Sequence, residues 1–266
     1  MQEVSQPPRQ RRRKNKVRSK KKLQVLETVN DARIITSQSL AAIYSDIPYI
    51  TLWKYLNQLE KAGYIDNVDA PALLDKKPGR NPNVFASASN HNKELTETDN
   101  QRGKFHRYMV SEVAGIFHAA QNKFNIPLHE WYYEPKGNQI NGIKTCNPDA
   151  EARFGDQHFF IECDRKTEPV KRNGKGTDIW SKLDYYTALF RQGKKFRVLF
   201  LTLNVRRLNS LRDAAIAHDE QKLGLNIFWF GLFDLVDLAD PALFFTEEYW
   251  FIPSSDEGQS LLKKIK

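Results

Sequence analysis

Apolar residues recur along this chain in two different rhythms, and the changes of rhythm mark its organisation. Leu23, Val25, Leu26 and Val29 follow a helical repeat, and a second, shorter helix over 36–44 is opened by Thr36 or Ser37 as cap. After a turn at Ser45-Asp46-Ile47-Pro48, the residues Leu52, Tyr55, Leu56, Leu59 and Ala62 return at helical spacing until Gly63 stops the helix. Tyr64-Ile65-Asp66 and Asn83-Val84-Phe85 then read as two strands, joined by a loop carrying Lys76, Lys77, Gly79 and Arg80. Three helices followed by a basic-tipped hairpin form the pattern of a winged helix-turn-helix over residues 23–86. Residues 87–101 have almost no apolar side chain and read as a linker.

From 102 to 266 helical and strand rhythms alternate. Residues 105–121 predict a helix with Tyr108, Val110, Val113, Ile116 and Phe117 largely inward. Glu130-Trp131-Tyr132-Tyr133-Glu134 is a strand, and a hairpin follows over Lys144–Asp164. Thr177 to Arg191 is a helix, and Phe196–Leu203 is a nearly continuous apolar strand of the kind found inside a covered sheet. A helix over 206–222 and a strand at Ile227–Phe230 complete an α-β-β-β-α-β-α-β order. The expected fold class is therefore α/β, with a mixed sheet flanked by helices.

The hairpin holds the densest chemistry. Gly155-Asp156 between aromatic-rich runs is a tight-turn signal, and a turn there pairs residues whose numbers sum to 311. Asp149 then faces Glu162, while Asp164 and Lys166 share the face of Glu162 because side chains alternate along a strand. Two carboxylates this close repel unless a proton or cation separates them, and oxygen-rich sites suit Mg²⁺ or Mn²⁺. The plain alternative is a solvated sheet face, where acids and lysines alternate with buried Phe and Ile for no chemical reason.

Charge changes the picture next. The net charge of +9 lies entirely in residues 1–22, which hold ten Lys/Arg, Arg11, Arg12 and Arg13 among them, and one acid, Glu3. The remainder is balanced, with 31 bases and 31 acids. Such a block is expected to be a disordered arm that neutralises nucleic-acid phosphates, the alternatives being a solubility tail or a localisation signal. On the third helix Lys54, Asn57, Gln58 and Lys61 form a polar face able to reach base edges or phosphates of double-stranded DNA, with Lys77 and Arg80 added from the hairpin tip. The alternative is an ordinary solvated face on a protein-docking module. The two cysteines, Cys146 and Cys163, are too few for a zinc framework. The register places them diagonally on one face, opposite the acids, as buried thiols. A polar, then basic N-terminus and no apolar run of spanning length predict a cytoplasmic protein without a membrane segment.

Pro148-Asp149 on the second strand and the acid cluster on the third resemble the restriction-endonuclease-like, PD-(D/E)xK nucleases. More narrowly, Pro148-Asp149, then Phe159-Phe160-Ile161-Glu162-Cys163-Asp164-Arg165 with Thr167-Glu168-Pro169, then Lys182-Leu183-x-x-Tyr186, is similar to the replication-relaxation family. The neighbouring MOBC-type plasmid relaxases share that core and also carry a winged helix before it. The resemblance implies a plasmid mobilisation relaxase: a metal-dependent, strand-specific nickase at a transfer origin, single-stranded at the nick and served by an accessory mobilisation protein. It implies Asp149 and Glu162 as ligands of Mg²⁺ or Mn²⁺, and Lys166 as the group that stabilises charge on the phosphate.

Asp164 stands where the nuclease pattern has lysine. It is either a further ligand or a water-orienting group, or it marks a degenerate site, and the missing cation falls to Lys166 or Lys182. Lys182 reads more simply as a helix-surface residue, and Glu112, His106 and Glu134 as surface, structural or supporting groups. Tyr185 and Tyr186 leave tyrosyl attack and metal-activated water both open. Two other functions remain: a non-catalytic DNA-binding plasmid replication or transfer factor, and a double-strand endonuclease of a mobile element.

Overall fold

The computed structural model describes residues 19–68, 83–88, 97–140, 142–143, 145–165, 170, 178–219 and 226–262. Arg11, Arg12, Arg13, Lys77, Arg80 and Lys166 lie outside the described residues.

Helix α1 (Lys20–Ala32) starts at Ser19, whose hydroxyl accepts from the Lys22 amide, so three lysines of the basic block belong to the helix. It ends at Arg33, where a φ of 61° turns the chain into a strand that the sequence did not signal, β1 (Ile34–Thr36). Three residues are too few to show a period of two. Thr36 then caps α2 (Ser37–Ile43) by accepting from the Ser39 amide, and α3 (Tyr49–Lys61) follows. Strands β2 (Ile65–Val68) and β3 (Val84–Ser87) pair antiparallel, and β1 adds to the other side of β3, giving the order β1-β3-β2. Leu52, Leu56 and Leu59 bury one stripe of α3 against Val25, Val29, Leu40 and Phe85. Each of those leucines contributes about 1.5–3 kcal/mol of transfer free energy.

Helix α4 (Glu97–Phe124) begins inside the segment read as a linker. Beyond it the elements are β4 (Leu128–Tyr133), β5 (Ala150–Phe154), β6 (Gln157–Asp164), α5 (Ile179–Arg191), β7 (Arg197–Thr202), α6 (Val205–His218), β8 (Phe228–Leu232), α7 (Pro241–Phe245), β9 (Trp250–Ile252) and β10 (Ser255–Gln259). The result is a mixed α/β protein with a seven-stranded sheet ordered β10-β9-β8-β7-β6-β5-β4. Strands β6, β7 and β8 run parallel, joined by α5 and α6, and the outer neighbours are antiparallel. The last two strands extend the sheet beyond the pattern expected from sequence.

The sheet is covered on both faces. Phe159, Ile161, Cys163, Leu199, Leu201 and Trp250 pack on the side of α4 and α7. Phe160, Val198, Phe200, Phe228 and Phe230 pack on the side of α5 and α6. Ile34, Val84 and Ala86 of the small sheet join Tyr108, Met109, Val113 and Ile116 of α4 in the first of these cores. The N-terminal unit thus shares a core with the large sheet. Gly115 allows α4 to approach α2 closely, since a Cβ there would lie 2.9 Å from both Ser39 Oγ and Leu238 Cδ2.

Candidate active site

The hairpin forms in the expected register. Ala150 faces Ile161 and Phe154 faces Gln157, with Gly155 at φ 55° supplying the left-handed backbone of a two-residue turn. One step further on, the Asp149 amide donates to the Ile161 carbonyl at 3.1 Å, which brings Asp149 beside Glu162 at the end of the ladder.

The solvated-face alternative fails here. Strand β6 is central in the sheet, with α4 packed over one face and α5 and α6 over the other, and Glu162 and Asp164 are 1% and 6% exposed. Buried carboxylates need partners, and each of the three acids has a basic side chain from a different helix: His106 for Asp149, Lys182 for Glu162 and Arg207 for Asp164.

Asp149 is pinned at both oxygens. Oδ2 accepts from the Cys163 amide at 2.7 Å, and Oδ1 lies 3.1 Å from Nε2 of His106 on α4. Burial acts to raise its pKa, but the His106 bond and charge, Lys182 and the Cys163 amide outweigh it and the carboxyl is lowered. His106 answers in the opposite sense: burial lowers its pKa, the Asp149 bond and charge raise it by more, and the net shift is upward.

Glu162 faces α5. Lys182 Nζ donates to Oε2 at 2.8 Å, Tyr186 Oη donates to Oε1 at 2.5 Å, and the Cys146 thiol lies 3.6 Å from the same oxygen. Even with these partners, burial and the nearby charge of Asp149 push Glu162 up to about 7. Desolvation wins over the ion pair because Glu162 is inside the sheet. Asp164 receives a two-pronged bond from Arg207 on α6, Nε to Oδ2 at 2.6 Å and Nη2 to Oδ1 at 2.9 Å. All of these groups gather at the carboxyl ends of β6 and β7, where parallel sheets open a crevice for ligands.

Several expectations need correction. Lys182, read as a helix-surface lysine, is 8% exposed and anchored on Glu162. Its position three residues after Ile179 and four before Tyr186 puts it on the buried stripe of α5, and a cation on an apolar stripe was the available signal. Asp164 is held in an ion pair with Arg207, a residue that sequence reasoning passed over. The two cysteines lie on opposite faces of the sheet: Cys163 packs towards α4, and Cys146 packs towards α5 beside Glu162. Cys146 precedes β5, outside the ladder, so the hairpin register does not govern it. Gly137 lies so close to the Cys146 carbonyl that a Cβ would fall within 1.8 Å of it, which fixes this approach to the site. Burial raises both thiols far from their reactive range.

The other candidates are elsewhere. Glu112 is buried between α4 and the small sheet, accepting from Thr36 Oγ1 at 2.7 Å and from Ser39 Oγ at 2.5 Å. Glu134 pairs with Arg33 at 3.1 Å. Tyr185 and Tyr186 are 1% and 0% exposed, and the Tyr185 hydroxyl accepts from the Asn138 amide. On α3, Lys54, Gln58 and Lys61 are exposed and Asn57 is half-buried, while Gln58 Oε1 accepts from Lys22 Nζ at 2.9 Å. Among the described residues no three His, Cys, Asp or Glu side chains form a preformed metal cage, and no helix is long and apolar enough to cross a membrane.

Fold and site together define a mixed α/β protein whose small N-terminal sheet is built onto a larger one carrying a buried cluster of acids and cations. The family model for Replication-relaxation matches residues 26–199, and the chain belongs to that family. Membership points to a part in plasmid replication or transfer. No curated protein matches the chain. The crystal structure of protein VC1899 from Vibrio cholerae aligns over 81% of this chain and 49% of its own length, at 13% identity and a TM-score of 0.31. The chain thus spans about half the length of that protein.

Proposed function

We propose that the chain is a divalent-metal-dependent DNA nickase of plasmid replication or transfer, a relaxase acting at a transfer origin. The observation that carries this reading is the junction of Asp149, Glu162 and Lys182 at one end of the sheet, with Lys182 Nζ 2.8 Å from Glu162. The order α4-β4-β5-β6-α5-β7, with Asp149 directly before β5 and Glu162 on β6, supports a restriction-endonuclease-like core. The order α1-β1-α2-α3-β2-β3 with its β1-β3-β2 sheet supports a winged helix-turn-helix that reads double-stranded DNA through α3.

The donor set fits Mg²⁺ or Mn²⁺. A carboxylate offers about four acceptor positions. Asp149 uses one at each oxygen, and Glu162 retains capacity beyond Lys182, Tyr186 and Cys146. Asp149 and Glu162 would hold the ion together with phosphate oxygens and water, as Mg²⁺ sites with one or two carboxylates do. When bound, the ion supplies polarisation of the scissile phosphate and a more acidic attacking water.

The chain's own residues then divide the work. Lys182 is the cation of the site, placed to stabilise charge that builds on the phosphate. Lys166, the other candidate for this part, lies outside the described residues. Asp164 holds Arg207 at the start of α6 and is neither ligand nor base. Tyr186 orients Glu162, and its buried hydroxyl, like that of Tyr185, favours hydrolysis by water over tyrosyl attack.

One observation favours a second reading, a non-catalytic DNA-binding factor: Glu162 and Asp164 are already paired with Lys182 and Arg207, and Asp149 with His106. Supercoiled plasmid carrying the origin decides between them. The nickase reading expects conversion to open circle with Mg²⁺ or Mn²⁺, lost in EDTA and in Asp149→Ala and Glu162→Ala. Linear product indicates a double-strand endonuclease, and intact supercoils with normal DNA binding indicate the non-catalytic factor.

A further inference from the structure

His106 reaches the cluster from the α4 side of the sheet. Lys182 and Tyr186 reach Glu162 from α5, and Arg207 reaches Asp164 from α6, both on the opposite face. Asp149 sits at the sheet's end, where it meets groups from both sides. Its side chain and that of His106 are 16% and 25% exposed, against 1% for Glu162 and 10% for Lys182. The Asp149–His106 pair is therefore the open side of an otherwise closed cluster.

That position gives His106 a definite mechanical effect. A carboxylate held by one oxygen alone can rotate about its last torsion, and terminal torsions of this kind have broad wells. The Cys163 amide holds Oδ2 at 2.7 Å, and His106 holds Oδ1 at 3.1 Å, so the plane of the carboxylate is set from both ends. The ring itself is carried by a firmly seated helix: its neighbour Phe105 is 2% exposed, and Met109, one turn further on, is fully buried. Glu112 ties the same helix to Thr36 and Ser39 of the small N-terminal unit.

We infer that His106 is a positioning residue for metal binding, fixing Asp149 in the orientation in which its remaining lone pairs meet a divalent cation. This rests on the reading of Asp149 as a metal ligand. Partners that hydrogen-bond to a metal's ligands commonly change affinity about 10–100-fold when removed. His106 thus acts through Asp149, as a positioning rather than a catalytic residue.

The test is calorimetric titration of the full chain with MnCl₂, without DNA. His106→Ala is expected to weaken Mn²⁺ binding about 10–100-fold, and His106→Gln, whose amide can donate a similar bond, is expected to recover most of it. In the nicking assay the Mn²⁺ concentration for half-maximal rate shifts upward in His106→Ala, while the rate at saturating Mn²⁺ stays near wild type. Equal Mn²⁺ affinity in wild type and His106→Ala overturns the inference, as does a His106→Gln variant as weak as the alanine. A wild-type chain that binds no Mn²⁺ overturns the metal-site reading itself, and this inference with it.

Discussion

Lys182 Nζ on α5 lies 2.8 Å from Glu162 Oε2 on β6, and neither side chain is more than 10% exposed. A buried pair of this kind is stabilising only relative to its broken form, because both charges have lost their water. Lys182→Met is expected to lower the nicking rate about 10²–10³-fold, the usual scale for one lost transition-state donor. It also pushes Glu162 further towards its protonated form. Single-turnover nicking with saturating Mn²⁺ measures the first effect, and a rate within threefold of wild type would return the cationic role to another residue.

The pKa shifts set the pH dependence. Glu162 is raised to about 7, so the native state holds a proton that the unfolded chain releases near its ordinary range. Its contribution to stability is full below pH 4.5 and is lost as pH rises through about 7. Glu112 and His106, both raised, carry the same sign. Asp149 is lowered, so its contribution is present above its usual range and is lost in acid. The thermal midpoint of the metal-free protein is expected to fall from pH 5 to pH 8, with a shallower fall in Glu162→Gln. Mn²⁺ affinity should run the other way and rise about tenfold per unit below pH 7, since binding displaces one proton. Calorimetry at pH 6 and pH 8 checks both slopes.

Asp164 and Arg207 form a unit whose purpose is structural in this account. Removing either partner leaves a buried charge, at about 3–5 kcal/mol. Arg207→Met and Asp164→Leu should each lose about that much by urea denaturation, and the double variant should recover most of it. The same double variant should keep wild-type Mn²⁺ affinity. A large loss of metal binding there would make Asp164 a ligand after all.

The N-terminal unit and the large sheet share one core, so they are expected to unfold together. Tyr108, Val113 and Ile116 of α4 pack in a core completed by Ile34, Val84 and Ala86. Wild type should show a single calorimetric transition. Gly115→Val drives a side chain into Ser39 and Leu238 and should cost about 1–3 kcal/mol. Two well-separated transitions in the wild type would contradict the shared core.

Which parts of this were legible in the sequence depended on how local their causes are. The hairpin register followed from Gly155-Asp156 and the alternation around it, and Ala150 faces Ile161 as those residues require. The burial of Glu162 and Asp164 does not follow from the hairpin, because it depends on α5 and α6, which come later in the chain and pack over that face of the sheet. Strand β1 has three residues and so no rhythm to read, and the first turns of α4 lie in a polar stretch that carries no helical repeat. The chemistry of Lys182 argues for the surface, while its spacing aligns it with the buried Ile179 and Tyr186. His106 and Arg207 had no local signal. Their partners are 43 residues away in each case, and only the folded sheet brings them together.

The central claim is that Asp149 and Glu162 hold a divalent cation with Lys182 alongside. Diffraction from crystals soaked in MnCl₂, recorded for anomalous scattering, tests it most directly. The account predicts one strong peak within about 2.0–2.3 Å of a carboxylate oxygen from each of Asp149 and Glu162, absent in Asp149→Ala. A peak elsewhere, or none while Lys182 stays against Glu162, would contradict it.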